Sequence, residues 1–253
     1  MFFTHAQTAF HFSVGDFDLP TLPQPSEQSG IWEWQLPTSS LINGRHQEER
    51  RAFVFVMELF LANPRGFCAG VNRAIAIVHQ ALERYQPPVY VLHEIVHNTH
   101  VIEELRQRGA VFVEELEEIP RGAVTIFSAH GVSRAVEERA KELGLRTIDA
   151  TCPLVSKVHR RMIRLHSMGY DVLVIGHKGH PEVEGTCGQA EGPVHVLSQP
   201  VEISALGVSD PAKVGYVTQT TLSVDDTAEL LKALRVRFPL ISEPERTDIC
   251  YAT

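Results

Sequence analysis

Three cysteines stand where a reactive thiol is easiest to make. Cys68, in "NPRGFCAG", and Cys152, in "DATCPL", each end a strand-like stretch and open a helical one, with Gly66 and Gly70 clearing space around the first. Amides at a helix N-terminus favour the thiolate over the thiol. Cys250, in "TDICYAT", completes a near-even series of positions 68, 152 and 250, which suggests three similar strand–Cys–helix units meeting at one point. Converging thiolates without a short CxxC pair suit an iron–sulfur cluster better than structural zinc, whose knuckles use close cysteine spacing. A zinc-binding structural protein stays open as a further reading, as does the plain role of cysteine as a small buried hydrophobe. Cys187, in "EGTCGQ", is read in that plain way.

The elements that must position these residues begin near residue 52. From "FVFVMELFLA" (53–62) onward, apolar runs alternate with amphipathic stretches. Val71, Ala74, Ile75, Val78, Ala81, Leu82 and Tyr85 fall on one face of a helix over 71–85. Strands follow at 88–92, 110–113, 123–127, 146–150, 171–176, 194–197 and 214–218, and helices near 98–108 and at 133–143, 154–168 and 225–237. This alternation predicts an α/β fold of parallel sheets with helices on both faces. Residues 19–46 are rich in Pro, Ser, Gln and Gly without a lasting period and read as poorly ordered.

In such sheets chemistry collects beyond the C-terminal strand ends. Polar motifs recur there: "SAHGVS" after "AVTIF", "TCP" after "RTIDA", "GHKGHPEVEG" after "DVLVI", and "TQTT" after "VGYV". "HEIVH" (93–97) matches the HExxH pattern of zinc proteases, which needs both histidines on one helical face. Here it directly follows strand "PVYVL", and Asn98 or Thr99 caps the next helix, so the zinc-protease reading is rejected.

Composition sets the outer limits. The 253 residues hold 43% hydrophobic and 21% charged residues, which is ordinary for a globular protein. A net charge of −8 argues against an open nucleic-acid surface. No apolar run is long enough to span a bilayer. The start "MFFTHAQTAFHF" is not a signal peptide, and Arg45 and Arg50 are the only strong bases of residues 1–50, which is wrong for an organelle leader. The expected location is the cytoplasm.

"LANPRGFCAGVNRAI", "HEIVHN", "FSAHGVS", "DATCPLVSKVH", "GHPEVEGT", "TQTTLSVDDT" and "DICYAT", in this order, resemble the 4-hydroxy-3-methylbut-2-enyl diphosphate reductases, enzymes of the non-mevalonate isoprenoid pathway. The resemblance runs from about residue 57 to the last residue. It implies a [4Fe-4S] cluster on Cys68, Cys152 and Cys250 with one open iron, Glu182 as proton donor, and His97, His130 and His180 on the diphosphate, with Thr220 near Glu182 and the substrate hydroxyl. Glu184 is then a solvated carboxylate, and the other ten histidines carry no assigned role. The implied reaction is reductive dehydroxylation to isopentenyl and dimethylallyl diphosphates, with electrons from a ferredoxin or flavodoxin type of donor.

The family resemblance also sets expectations for the ends of the chain. Residues 1–56 read as an extension before Met57, where such reductases begin; 57–152 as a first α/β domain; and 153–253 as a second that ends at the third cysteine motif. Two of three family domains are thus expected, and the alternative function is a truncated, inactive cluster-binding fragment.

Overall fold

Two parallel sheets organise the computed structural model, which describes residues 65–251 apart from 193, 246 and 247. The strand read at 53–62, the extension 1–56 and the start at Met57 lie outside the described residues. The first sheet is built from β1 (Val89–Leu92), β2 (Ala110–Val113), β3 (Val124–Phe127) and β4 (Arg146–Asp149), in the order β2-β1-β3-β4. The second holds β5 (Asp171–Ile175), β6 (His195–Leu197) and β7 (Val214–Thr218), in the order β6-β5-β7. Every paired strand runs parallel to its neighbour. The helices are α1 (Ala69–Tyr85), α2 (Thr99–Gln107), α3 (Arg134–Glu142), α4 (Pro153–Ser167), α5 (Pro181–Cys187) and α6 (Val224–Arg237).

Period-two alternation splits each strand between two cores. Val89 and Val91 of β1, with Val124 and Ile126 of β3, join Ala74, Val78 and Leu82 of α1 and Leu105 of α2. Leu92 and Phe127 point the other way, toward Ala140 of α3 and Leu116. In the second sheet Val172, Val174 and Val217 meet Val158, Met162 and Leu165 of α4. Leu173, Ile175, Val214 and Tyr216 meet Leu230 and Leu234 of α6 and Phe238 just past its end. Both sheets are therefore covered on both faces, which parallel strands need because each side of the strand is apolar.

Local signals fix the helix ends. The side chains of Asn98 and Ser133 accept from Val101 N and Val136 N at the starts of α2 and α3. The expected helices and strands appear within one or two residues of their predicted ends. One element is new. The stretch after β5, read as a strand-end loop, folds from Pro181 into the seven-residue α5. With Gly185 inside it and a single large apolar residue, Val183, it is too short to display a period.

Register then decides where the functional loops emerge. Leu92 pairs with Phe127 and Phe127 with Asp149, so β1, β3 and β4 end level. Ile175 likewise pairs with Leu197 and Thr218. In each sheet the chain reverses its strand order beside the central strand, and the crevice there lies beyond β1 and β3, and beyond β5 and β7.

Candidate active site

The loops leaving those four strands carry His97, His130, His180 and Thr220. The three imidazoles converge. Ring centroids lie 4.4 Å apart for His97–His130, 5.4 Å for His97–His180 and 5.5 Å for His130–His180. One nitrogen from each lies within 4.8 Å of the others, close enough to share an ion. His93 sits with Glu114 instead, 3.0 Å away, and neither His93 nor His97 is helical, in line with rejection of the HExxH reading.

Each ring has a different second partner. His180 caps α5: its Nδ1 accepts from Glu182 N at 3.1 Å, so in the neutral ring the proton lies on Nε2. His97 Nδ1 faces Glu94 Oε2 at 3.1 Å. His130 Nδ1 lies 3.2 Å from Ser128 Oγ inside the protein. Burial, then the neighbouring His97, His180 and His93, hold His130 down to about 3. Burial also lowers His180, again helped by His97. Without an anion the buried His130 and the half-buried His180 resist charging; a bound anion reverses the electrostatic sign.

Glu182 lies at the centre of the second sheet's contribution, with only 1% of its surface exposed. Thr220 grips it twice, N donating to Oε1 at 2.6 Å and Oγ1 to Oε2 at 3.0 Å. Burial nevertheless pushes its carboxyl up to about 7, the two Thr220 bonds and the nearby His97 offsetting only part of the desolvation. A carboxyl so placed carries a proton half the time at neutral pH, as a general acid should. Glu184, two residues on, is exposed. Residues two apart in a helix point some 200° from one another, so α5 alone separates the buried carboxyl from the solvated one.

The thiols gather by a separate route. Cys68 is the N-cap of α1, its Sγ 3.5 Å from Val71 N, and Cys152 is the N-cap of α4. A methyl group at Gly70 would stand 2.7 Å from Cys152 Sγ and 3.8 Å from Cys68 Sγ, so the two sulfurs flank a space that only glycine leaves open. Arg73 of α1 donates to Thr151 O at 3.0 Å and so ties the two helix starts together. Cys250 arrives from the other side, its N donating to Thr220 O at 2.6 Å. Thr220 thus joins the acid to the third cysteine. Soft sulfur donors at two helix N-termini around a cleared space, with a third sulfur-bearing residue hydrogen-bonded into the same site, fit an iron–sulfur cluster.

Cys187 stands apart. It packs beside Val172 and Val183, and burial pushes its thiol up to about 11, the state of an inert core cysteine. Sequence reasoning missed several supports, among them Ser128, Gln219 and Arg73. Gln219 Oε1 accepts from His177 N at 3.0 Å and so braces the loop that leads to His180. Ser128 and Gln219 lie inside quoted motifs, each directly after the last residue of a strand, but nothing in their spacing marks them as bracing groups.

The chain matches the LytB protein family over residues 59–253. Among similar proteins, the 4-hydroxy-3-methylbut-2-enyl diphosphate reductase of Azoarcus sp. (strain BH72) is 59% identical over 196 residues, covering 78% of this chain and 63% of its own. That of Ralstonia nicotianae (strain ATCC BAA-1114 / GMI1000) is 56% identical, with 78% and 60% covered. A solved E-1-hydroxy-2-methyl-but-2-enyl-4-diphosphate reductase from Plasmodium falciparum superposes with a TM-score of 0.72 at 44% identity, covering 75% of this chain and 59% of that one. A second solved structure, described as the terminal enzyme of the non-mevalonate pathway, gives 0.64 at 33% identity, with 74% and 66% covered. The chain therefore spans somewhat under two thirds of the length of these two curated relatives. Among the described residues no helix is long and apolar enough to cross a membrane. With the match running through every strand-end loop that builds the site, this chain belongs to the LytB protein family.

Proposed function

We propose that this chain carries the cluster-binding and proton-donating parts of a 4-hydroxy-3-methylbut-2-enyl diphosphate reductase. The observation that carries the reading is Glu182: a buried carboxyl at about 7, held by Thr220, beside a histidine cluster able to receive an anion. In the overall reaction the allylic C–O bond breaks, two electrons and two protons are taken up, and water leaves with isopentenyl or dimethylallyl diphosphate as the product. Cys68, Cys152 and Cys250 are the residues that would hold a [4Fe-4S] cluster. When bound, that group supplies the electrons and, at an iron without a protein ligand, a Lewis-acid seat for the departing oxygen.

The remaining work falls to the protein. His180 Nε2–H, His97 and His130 receive the diphosphate, whose charge favours the protonated forms of His130 and His180 that burial otherwise disfavours. Thr220 aims the Glu182 carboxyl, and Glu182 gives its proton to the leaving hydroxyl. Loss of that proton above neutral pH should slow the reaction. Electrons come, on this reading, from a ferredoxin or flavodoxin type of donor in the cytoplasm, and the two α/β domains are 57–152 and 153–253. The convergence of His97, His130 and His180 within 4.8 Å favours a second reading of that cluster, as a seat for a single metal ion.

The test is Glu182→Gln in a chain extended to the relatives' length, assayed anaerobically with a chemical reductant and substrate. Cluster content and substrate affinity should be kept while turnover falls on the order of 10²–10⁴-fold. An unchanged rate would move the proton donor elsewhere.

A further inference from the structure

The segment from Glu243 to Tyr251 that carries Cys250 forms no helix or strand among its described residues, so discrete bonds have to seat it. At its start Ser242 bridges to Gly215 of β7, and Arg161 of α4 donates to Ser242 O at 3.0 Å. At its end Cys250 N meets Thr220 O. Between them lies Asp248, 1% exposed, whose Oδ1 accepts from Lys157 Nζ at 3.0 Å. Its Oδ2 is buried and makes no hydrogen bond among the described residues. Arg161 lies within the field of this carboxylate, but its hydrogen bonds go to Tyr216 O and to Ser242. Lys157 is thus the cation that directly meets a buried carboxylate two residues before the third cysteine. It stands on α4, the helix that Cys152 opens.

We propose that the Lys157–Asp248 ion pair is a latch that seats the Cys250 segment on Thr220, so that Lys157 is a positioning residue for the third thiol. A buried carboxylate stripped of its cation is strongly unfavourable, and the nearest relief is to swing its segment into water. That motion would carry Cys250 off Thr220. Lys157 itself is 43% exposed on its side chain, so its replacement leaves no cavity in the core. The inference rests on the reading of Cys250 as a ligand, but the latch can be measured without any cluster.

The experiment uses the 253-residue chain, reduced and free of iron, labelled with N-ethylmaleimide under anaerobic conditions, with each cysteine followed by peptide mass spectrometry. Lys157→Met and Asp248→Ala should each raise the labelling rate of Cys250 by about tenfold or more, with Cys187 unchanged. Lys157→Arg, which keeps the charge, should restore slow labelling. A Cys250 rate within about twofold of the parent in both disrupted variants would overturn the latch. A parallel rise at Cys187 would overturn it too, by showing that the pair supports the fold at large. Because no cluster or substrate is present, a failed latch leaves the reductase reading standing, and a failed reductase reading leaves the labelling result intact.

Discussion

Glu182 allows the electrostatics of the site to be weighed by stability alone. Its carboxyl moves from 4.5 to about 7 on folding, so the folded protein binds the proton more tightly than the unfolded chain does. The sign follows from linkage: the contribution is fully present below about pH 4.5 and is lost as pH rises through 7. A shift of that size is worth about 3 kcal/mol in full, and most of it falls between pH 5 and pH 8. Glu182→Gln removes the titration while preserving the geometry. The amide oxygen can accept from Thr220 N as Oε1 does, and the amide nitrogen can donate to Thr220 Oγ1, which rotates to accept. Denaturant unfolding of parent and variant at pH 5 and pH 8 gives a double difference in which His130 and the surface groups cancel. The parent should lose about 2–3 kcal/mol more than the variant on going to pH 8. A double difference below about 1 kcal/mol, or of opposite sign, would mean that the carboxyl is solvated or already ionised, and would refute its role as an acid.

The other predictions concern the histidines and the thiols. In the unliganded protein the His130 ring, held down to about 3, should show no protonation midpoint between pH 5 and pH 8 by NMR, and inorganic pyrophosphate should bring one into that window. Tight zinc binding that competes with pyrophosphate would instead support the metal reading of the cluster. Gly70→Ala places a methyl 2.7 Å from Cys152 Sγ, so iron retained after anaerobic reconstitution should fall sharply while the circular dichroism spectrum is kept. Cys68→Ser and Cys152→Ser should abolish the brown colour of reconstituted protein; Cys187→Ser, which replaces a thiol pushed up to about 11, should not.

What could be read from the sequence was whatever repeats along the chain. Alternation of apolar runs with amphipathic stretches marks β1–β7 and five of the six helices, because each carries enough residues to show its period. α5 escapes for the opposite reason. Pro181 and Gly185 read as loop residues, yet Pro suits the first helical turn and the glycine lies where the helix touches another backbone. The consequence falls on Glu182 and Glu184, alike in a loop and opposite on a helix. The motif order separated them by resemblance; the geometry now supplies the cause. Pairings across long separations, such as Lys157 with Asp248 or Arg73 with Thr151 O, leave no local trace, since nothing near one partner specifies the other.

The division of the site between the two sheets explains why so much depends on one narrow seam. The first sheet brings His97, His130 and, through the loops before α1 and α4, Cys68 and Cys152; the second brings His180, Glu182 and Thr220. Among the described residues no strand pairing crosses between the sheets, so what touches at the loops sets their spacing there. There, Gly185 of α5 lies against the Gly131 backbone, where an added methyl would stand 3.0 Å from Gly131 O. Gln189 Nε2 then donates to Val132 O at 2.8 Å and to Gly185 O at 3.1 Å, stitching α5 to the turn after His130. A close backbone contact between rigid pieces has little compliance, because neither main chain can yield as a side chain would. It holds His130 and His180 at 5.5 Å although they belong to different sheets. The same contact carries Glu182 with it, one turn from Gly185 on α5. His130, His180 and Glu182 are therefore held relative to one another by the contacts that α5 and the residues just after it make with the turn after His130.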